Sequence, residues 1–466
     1  MARTHTAHGF WLEEAGSPAP RPPLSGDADA DVVVVGGGFT GLWAAWWVLE
    51  SDPGARVVVL EAAGCGEGPS GRNGGFVNAM SFSLPSMEER FGSTGALAVA
   101  RAARDAVHGI GQWCERHGVD AWYREGGYLQ VSSTPIHDDD WDEVIAAWRR
   151  QGEPDACVPL DRDAVRARCD SPRFRGGAFY PDAATVQPAR LALGLRARLL
   201  DRGAAIHEHS RVIRLAASPD GVRAETGGGR VRARSAVLAV GAAASGVRPL
   251  RRRLTVTSSH IVITEPVPEV LEDVGWTGGE SITNSRALIH YFRTTPDGRI
   301  AFGWGGGRVV PGARIRRRAE LDPQVVAEVE RALVRFFPGL AGRRIDHAWG
   351  GPIDVSPIHL PVVGTVPGDR VHYALGYTGN GLGPSHMVGR ILASLALDRR
   401  DEWTRLPLVE PRLTRVPPEP FRYVGGAIVR RALLRKERLE EQGRRADLLT
   451  RAVAGFPERI GIHIGR

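Results

Sequence analysis

Asp31-Val-Val-Val-Val35 runs directly into Gly36-Gly-Gly38-Phe-Thr-Gly41, and the reading of that stretch decides the fold. Four consecutive β-branched residues predict a short strand buried on both faces, the kind found inside parallel sheets. Leu42 to Glu50 predicts a helix, Ser51-Asp-Pro-Gly54 closes it, and Arg56-Val-Val-Val-Leu60 predicts a second buried strand. Three glycines at this spacing serve different ends. Gly36 permits the tight turn, Gly38 lets the backbone approach a pyrophosphate, and Gly41 lets helix and strand pack closely. The helix start, with Gly37, Phe39 and Thr40, then offers unpaired N–H groups and a positive dipole end to phosphates. Glu61 ends the second strand 20 residues beyond Gly41, placed to accept from ribose hydroxyls and to repel a 2′-phosphate. Strand, turn, helix and acid together predict a Rossmann-like dinucleotide site.

Working outward, the chain has 466 residues, more than one core usually supports, so two domains are expected. Apolar content of 42% and charged content of 24% are those of an ordinary globular protein. No apolar run reaches membrane-spanning length, and the first ten residues lack the apolar centre of a signal peptide, so a cytoplasmic location is expected. Cys65, Cys114, Cys157 and Cys169 form no close pair, which argues against a disulfide framework or metal site. The net charge of +7 is concentrated at the end, where residues 421–466 hold 11 basic and 5 acidic side chains. That distribution speaks against nucleic acid as a partner. Lys436 is the single lysine of the chain.

Residues 1–30, with Pro18, Pro20, Pro22 and Pro23, predict an extended arm. Helices are expected from Pro85 to His117, Asp138 to Arg150, Pro188 to Arg202, Pro323 to Phe337 and Pro384 to Asp398. Strands are expected at Tyr123–Ser132, Arg211–Leu215, Val222–Glu225, Val231–Arg234, Ala236–Val240 and Val371–Leu375. Leu254–Thr264, Ala287–Arg293 and Ile300–Trp304 predict an antiparallel sheet. A helix from about Ala427 to Arg451, basic and amphipathic, is read as lying across the body of the protein.

A second polar, glycine-rich loop follows Glu61. In Gly68-Pro-Ser-Gly-Arg-Asn-Gly-Gly75, the donors Ser70, Arg72 and Asn73 stand among glycines, including Gly74 and Gly75, that permit close backbone approach. With this loop the chain resembles the FAD-dependent oxidoreductases of the D-amino-acid oxidase and glycine oxidase superfamily, most of all the γ-glutamylputrescine oxidoreductase-like branch. Ser235–Gly241, Tyr291–Arg299, Trp349-Gly-Gly351, Pro361–Gly364 and Gly376-Tyr-Thr-Gly-Asn-Gly-Leu-Gly383 continue the likeness over about residues 10 to 400.

The resemblance implies an α/β (α+β) fold in which a Rossmann-like FAD-binding domain is interleaved with an antiparallel-sheet substrate domain. The expected division is an arm at 1–30, a discontinuous FAD domain at 31–84, 186–250 and 345–400, a substrate domain at 85–185 and 251–344, and an extension at 401–466. It implies further cofactor contacts at Val212, Gly241, Gly376, Gly379, Asn380, Gly381 and Leu382, the last two offering N–H groups to the flavin's pyrimidine carbonyl. It also puts His260, His290, His359, His372 and His386 near or facing the flavin, although a lone strand histidine is more often hydrogen-bonded structure.

Some relatives attach flavin covalently through histidine or cysteine. No histidine lies between Gly36 and Gly75, and Cys65 is read as a buried thiol, so non-covalent FAD is expected. The implied activity is oxidation of the C–N bond of an amine or amino acid to an imine, by hydride transfer to flavin N5. Tyr291 and Arg293, on one face of a strand, are the candidates for substrate contact. With Lys436 expected far away, either oxygen or a quinone-type acceptor takes the electrons. Two rival readings are a 2-hydroxy-acid dehydrogenase on the same fold and a non-catalytic flavin-bearing binding protein.

Overall fold

The computed structural model describes residues 9–311, 320–368 and 370–463. Its first sheet is built on the β-branched runs. Ala28–Val35 pairs in parallel with Val57–Leu60 on one side and with Arg230–Leu238 on the other. Ala205–His207 and Val371–Leu375 extend the parallel core outward, and Val362–Val366 closes one edge antiparallel. Gly221–Glu225 and Arg214–Ser218 add an antiparallel flap on Arg230–Leu238. Val33, Val34 and Val59 are wholly buried, as strands covered on both faces require.

One covering layer is a helix pair. The glycine-turn helix Phe39–Ser51 buries Leu42, Trp43, Ala44, Ala45 and Val48, and Leu382–Ala396 crosses it. A Cβ at Gly389 would stand 2.5 Å from that of Trp43, so the crossing needs glycine there. Leu84–Arg116 packs on the same pair and bends at Gly92, where φ is +70°.

The second sheet runs in the order Ile345–Val355, Thr255–Thr264, Ile300–Trp304, His290–Thr294, Ser281–Asn284, Tyr128–Ser132, Gly176–Tyr180 and Val158–Leu160. Its far face carries an aromatic core in which Phe292 stacks on Phe302 at 4.9 Å, with Phe174, Trp276, Phe336 and Phe337 around them. Phe76–Asn78 and Ala183–Thr185 form a small third sheet.

Several sequence expectations shift. Of the arm expected at 1–30, residues 1–8 lie outside the described residues and 9–30 are not uniformly extended. Phe10–Ala15 is helical, with Phe10, Trp11 and Leu12 buried, and the first strand already starts at Ala28. Ile345–Val355 belongs to the second sheet, with ten of its residues paired to Thr255–Thr264, which takes it out of the dinucleotide half expected at 345–400. The alternation of Val231–Arg234 and the apolar run of Ala236–Val240 form one strand, half-covered and then fully buried. Ser281–Asn284 and Tyr128–Ser132 pair in parallel, so the second sheet is not wholly antiparallel. The tail breaks into Phe421–Glu441, Leu448–Ala454 and Phe456–Arg459.

Candidate active site

Four parallel strands end along one edge. The register pairs Val35 with Leu60 and with Leu238, and Leu238 with Tyr373. Gly36, Glu61, Gly241 and the Tyr377–Leu382 loop therefore emerge side by side, where open α/β sheets bind ligands. A cavity of about 2260 Å³ opens there and runs under the second sheet.

The glycine turn is shaped by close approach. Gly36 has φ +110°, and a Cβ on it would meet the carbonyl oxygen of Ala239 at 2.3 Å. One on Gly41 would meet that of Gly36 at 2.0 Å. Glu61 accepts the Gly37 N–H at 2.6 Å and the Ala63 N–H at 2.8 Å, which fixes its carboxylate at the cavity wall. Ser70 Oγ accepts the Phe39 N–H at 2.9 Å and so ties the second loop to the helix start. The loop's other donors are spent largely on its own shape. Arg72 Nε donates to the Glu67 carbonyl, while Asn73 donates to the Ser70 carbonyl and accepts the Gly75 N–H at 2.7 Å.

Of the candidate residues, Gly36, Gly38, Phe39, Thr40, Glu61, Ser70, Arg72, Asn73, Gly74, Val212, Gly241, Gly379, Asn380, Gly381, Leu382 and Tyr291 line the cavity. Gly37, Gly41, Gly75 and Gly376 stand behind the wall rather than in it. Arg293 is also off the wall. It is 2% exposed and donates to the carbonyls of Gly75, Val186 and Thr294, with its guanidinium 5.3 Å from the Trp11 ring. Burial pushes it down to about 9. Its place is a strut between the second loop and the second sheet, which corrects its expected role as a substrate contact.

Tyr291 does face the cavity, hydrogen-bonded to Ser259 Oγ at 2.7 Å and edge-on to Phe76 at 5.9 Å. Alternation along Thr255–Thr264 brings Thr257, Ser259 and Ile261 onto the same wall and turns His260 away. His260 accepts the Asp322 N–H instead, and burial pushes it down to about 4. His386 sits between Trp43 and Trp47, pushed by burial to about 3. His290 is held by Asn284 and His372 by Thr365, and only His359 of the five expected histidines lines the cavity. The other four therefore do not face the site.

Three features went unread in the sequence. Asp354 lines the cavity, accepts the Gly376 N–H at 2.6 Å and is raised by burial to about 6. Asn78 is buried on the wall with its Oδ1 unpartnered. Lys436, expected to be remote, also lines the cavity, paired with Glu440 at 2.9 Å. Asp354 lies near the end of an eleven-residue strand and Asn78 at the end of a three-residue one, each a few residues past the nearest glycine motif, and alternation alone does not say that they face the cavity.

This wall suits a dinucleotide. Glycines bring the backbone to the surface, Glu61 presents a fixed acceptor, and a helix start opens at either end. The match to known proteins agrees: the chain belongs to the family of FAD dependent oxidoreductases, whose model covers residues 31–395. It is 30% identical over 410 residues to the gamma-glutamylputrescine oxidoreductase of Escherichia coli (strain K12), covering 86% of this chain and 92% of that one. The glycine oxidase of Bacillus licheniformis is 24% identical over 385 residues, covering 80% and 95%. The crystal structure of glycine oxidase from Geobacillus kaustophilus shares the fold with a TM-score of 0.69 at 21% identity, over 83% of this chain and 99% of that one. The chain is an FAD-dependent oxidoreductase of a family that acts on amines and amino acids. Among the described residues no helix is long and apolar enough to cross a membrane.

Proposed function

We propose that this enzyme oxidises the C–N bond of an amine or amino acid to an imine, with FAD held non-covalently in the cavity. The observation that carries the reading is the shared wall. The strand-end edge of the parallel sheet and the Tyr291–Ser259 face of the second sheet bound one space. Bound there, FAD supplies the two-electron sink.

The residues fit that cofactor. Gly38 and Thr40 would take its phosphates, with Gly36 and Phe39 shaping the turn around them, and Glu61 would take its ribose hydroxyls. Ser70, Arg72, Asn73 and Gly74 would hold the middle. Val212, Gly241 and the Gly379–Leu382 loop would complete the bed, braced by Gly37, Gly41, Gly75 and Gly376. The unpartnered Asn78 Oδ1 is a buried acceptor still awaiting a donor. Non-covalent attachment is supported by Cys65, which is 2% exposed behind Gly37 and absent from the wall, its thiol pushed up by burial.

Tyr291 is oriented by Ser259 to contact the substrate. No Ser–His–Asp or paired-carboxylate arrangement is needed, because positioning the amine carbon and excluding water are the protein's share of such chemistry. A quinone-type acceptor fits better than oxygen, since His260 and His386 are neutral and turned away and Lys436 is already paired.

Anaerobic titration of the yellow holoenzyme tests the reading. Amines, polyamines or amino acids should bleach the flavin absorbance, and 2-hydroxy acids should not. Bleaching by hydroxy acids alone, or by no reductant of either class, rejects it.

A further inference from the structure

Eleven large apolar side chains are exposed among the described residues, and eight of them fall between Phe421 and Ile460. Leu448 and Leu449 are 77% and 74% exposed. Phe421, Ile428, Phe456 and Ile460 are exposed and also line the cavity, so the apolar surface forms part of the cavity's rim. Monomeric soluble proteins rarely leave so much apolar surface in one region.

The same stretch is basic, and so is its outer side, where six arginines stand against Asp447 and Glu458. Two of its five acids turn inward. Glu437 is buried on Arg286 at 2.8 Å, and Glu440 is buried on Lys436. Arg431, Arg435, Arg438, Arg444, Arg445 and Arg459 remain exposed. Arginine and apolar groups alternate along the surface: Arg444-Arg445 precedes Leu448-Leu449, and Arg459 adjoins Ile460. Six exposed arginines on one stretch favour an anionic partner. Apolar groups interspersed with arginine are what an anionic lipid surface binds, through shallow insertion and headgroup attraction together.

We propose that the tail helices Phe421–Glu441, Leu448–Ala454 and Phe456–Arg459 form a docking surface for an anionic membrane, reversibly seating the rim of the cavity against lipid. The proposal goes beyond the activity and does not depend on which amine is oxidised.

Co-sedimentation of the full-length holoenzyme with vesicles tests it. The protein should sediment with phosphatidylcholine containing one-third phosphatidylglycerol and stay in solution with phosphatidylcholine alone. Binding should fade as salt rises to about 0.5 M, where charges are screened within a few ångströms. Leu448→Asp/Leu449→Asp and, separately, Arg444→Glu/Arg445→Glu should each weaken binding about tenfold or more. These positions are exposed, so flavin content and melting temperature should stay at wild-type values. Failure of the wild type to sediment with the anionic vesicles overturns the proposal. So does undiminished binding by both variants. A dimer in solution that Leu448→Asp/Leu449→Asp dissociates, without vesicle binding, would give the surface to a second copy of the chain instead.

Discussion

Asp354 joins the two sheets, since it ends a strand of the second while accepting the Gly376 N–H from the first. Burial raises its carboxyl to about 6, so the folded protein prefers it protonated. Such a group loses stability as pH rises from its unfolded value near 4 to about 6, and the loss then levels off. The full cost is at most about 3 kcal/mol, because each unit is worth about 1.4 kcal/mol. Asp354→Asn should therefore gain on the wild type in denaturant titrations between about pH 4 and 6, and hold that gain above. A constant difference across the range would mean that the carboxyl does not titrate there.

Glu61 contributes through its position, as an acceptor held at the cavity wall by the Gly37 and Ala63 N–H groups. Glu61→Lys should lose flavin on gel filtration, because a hydrogen bond to a charged group is worth about 1.5–3 kcal/mol. Unchanged flavin content would remove Glu61 from the cofactor bed. At this scale the glycine turn was legible because its spacing is dictated by backbone clearance. Arg293 was not. Alternation puts it on the same strand face as Tyr291 but cannot say that two residues further on that face meets Gly75, Val186 and Trp11 instead of the cavity.

The N-terminal helix Phe10–Ala15 shows what an element gains from distant partners. Six residues cannot sustain a helix alone in water. Here Trp11 lies edge-on to Trp349 at 6.0 Å and over Arg293, while Glu14 is clasped by Arg190. Further along, Arg196 and Glu208 form a buried pair that also receives the Arg21 and Cys65 N–H groups, pinning the arm beside the glycine turn. Trp11→Ala should cost about 3–5 kcal/mol, read as a lowered melting temperature, because the site is fully buried. A loss under about 1 kcal/mol would show that the arm is an adornment rather than part of the core. The prolines hid this element, since periodicity over six residues is too short to read. The consecutive valines of Val32–Val35 and Val57–Val59 need no periodicity to be read as buried strand.

Across the whole molecule, the question of the electron acceptor turns on where positive charge lies around the cavity. Stopped-flow mixing of the photoreduced enzyme should show slow reaction with oxygen and faster reaction with a quinone or dye, and Lys436→Met should change neither. Oxidase-speed reoxidation that Lys436→Met abolishes would make this lysine the activating cation. The tail's amphipathicity was legible in the sequence; its position over the cavity was not. That position depends on Arg286 reaching Glu437 and Glu441 about 150 residues later in the chain, a pairing no local pattern reveals.

That long-range clasp also sets an order of events during synthesis. Ala28–Val35 is made first yet waits for Arg230–Leu238 and Val371–Leu375 before its sheet is complete. The last strands and the crossing helix Leu382–Ala396 emerge before the tail does. At about 5–20 residues per second, several seconds separate a finished dinucleotide bed from the arrival of Glu437. During that interval the cavity lacks the wall that Phe421, Ile428 and Phe456 later supply.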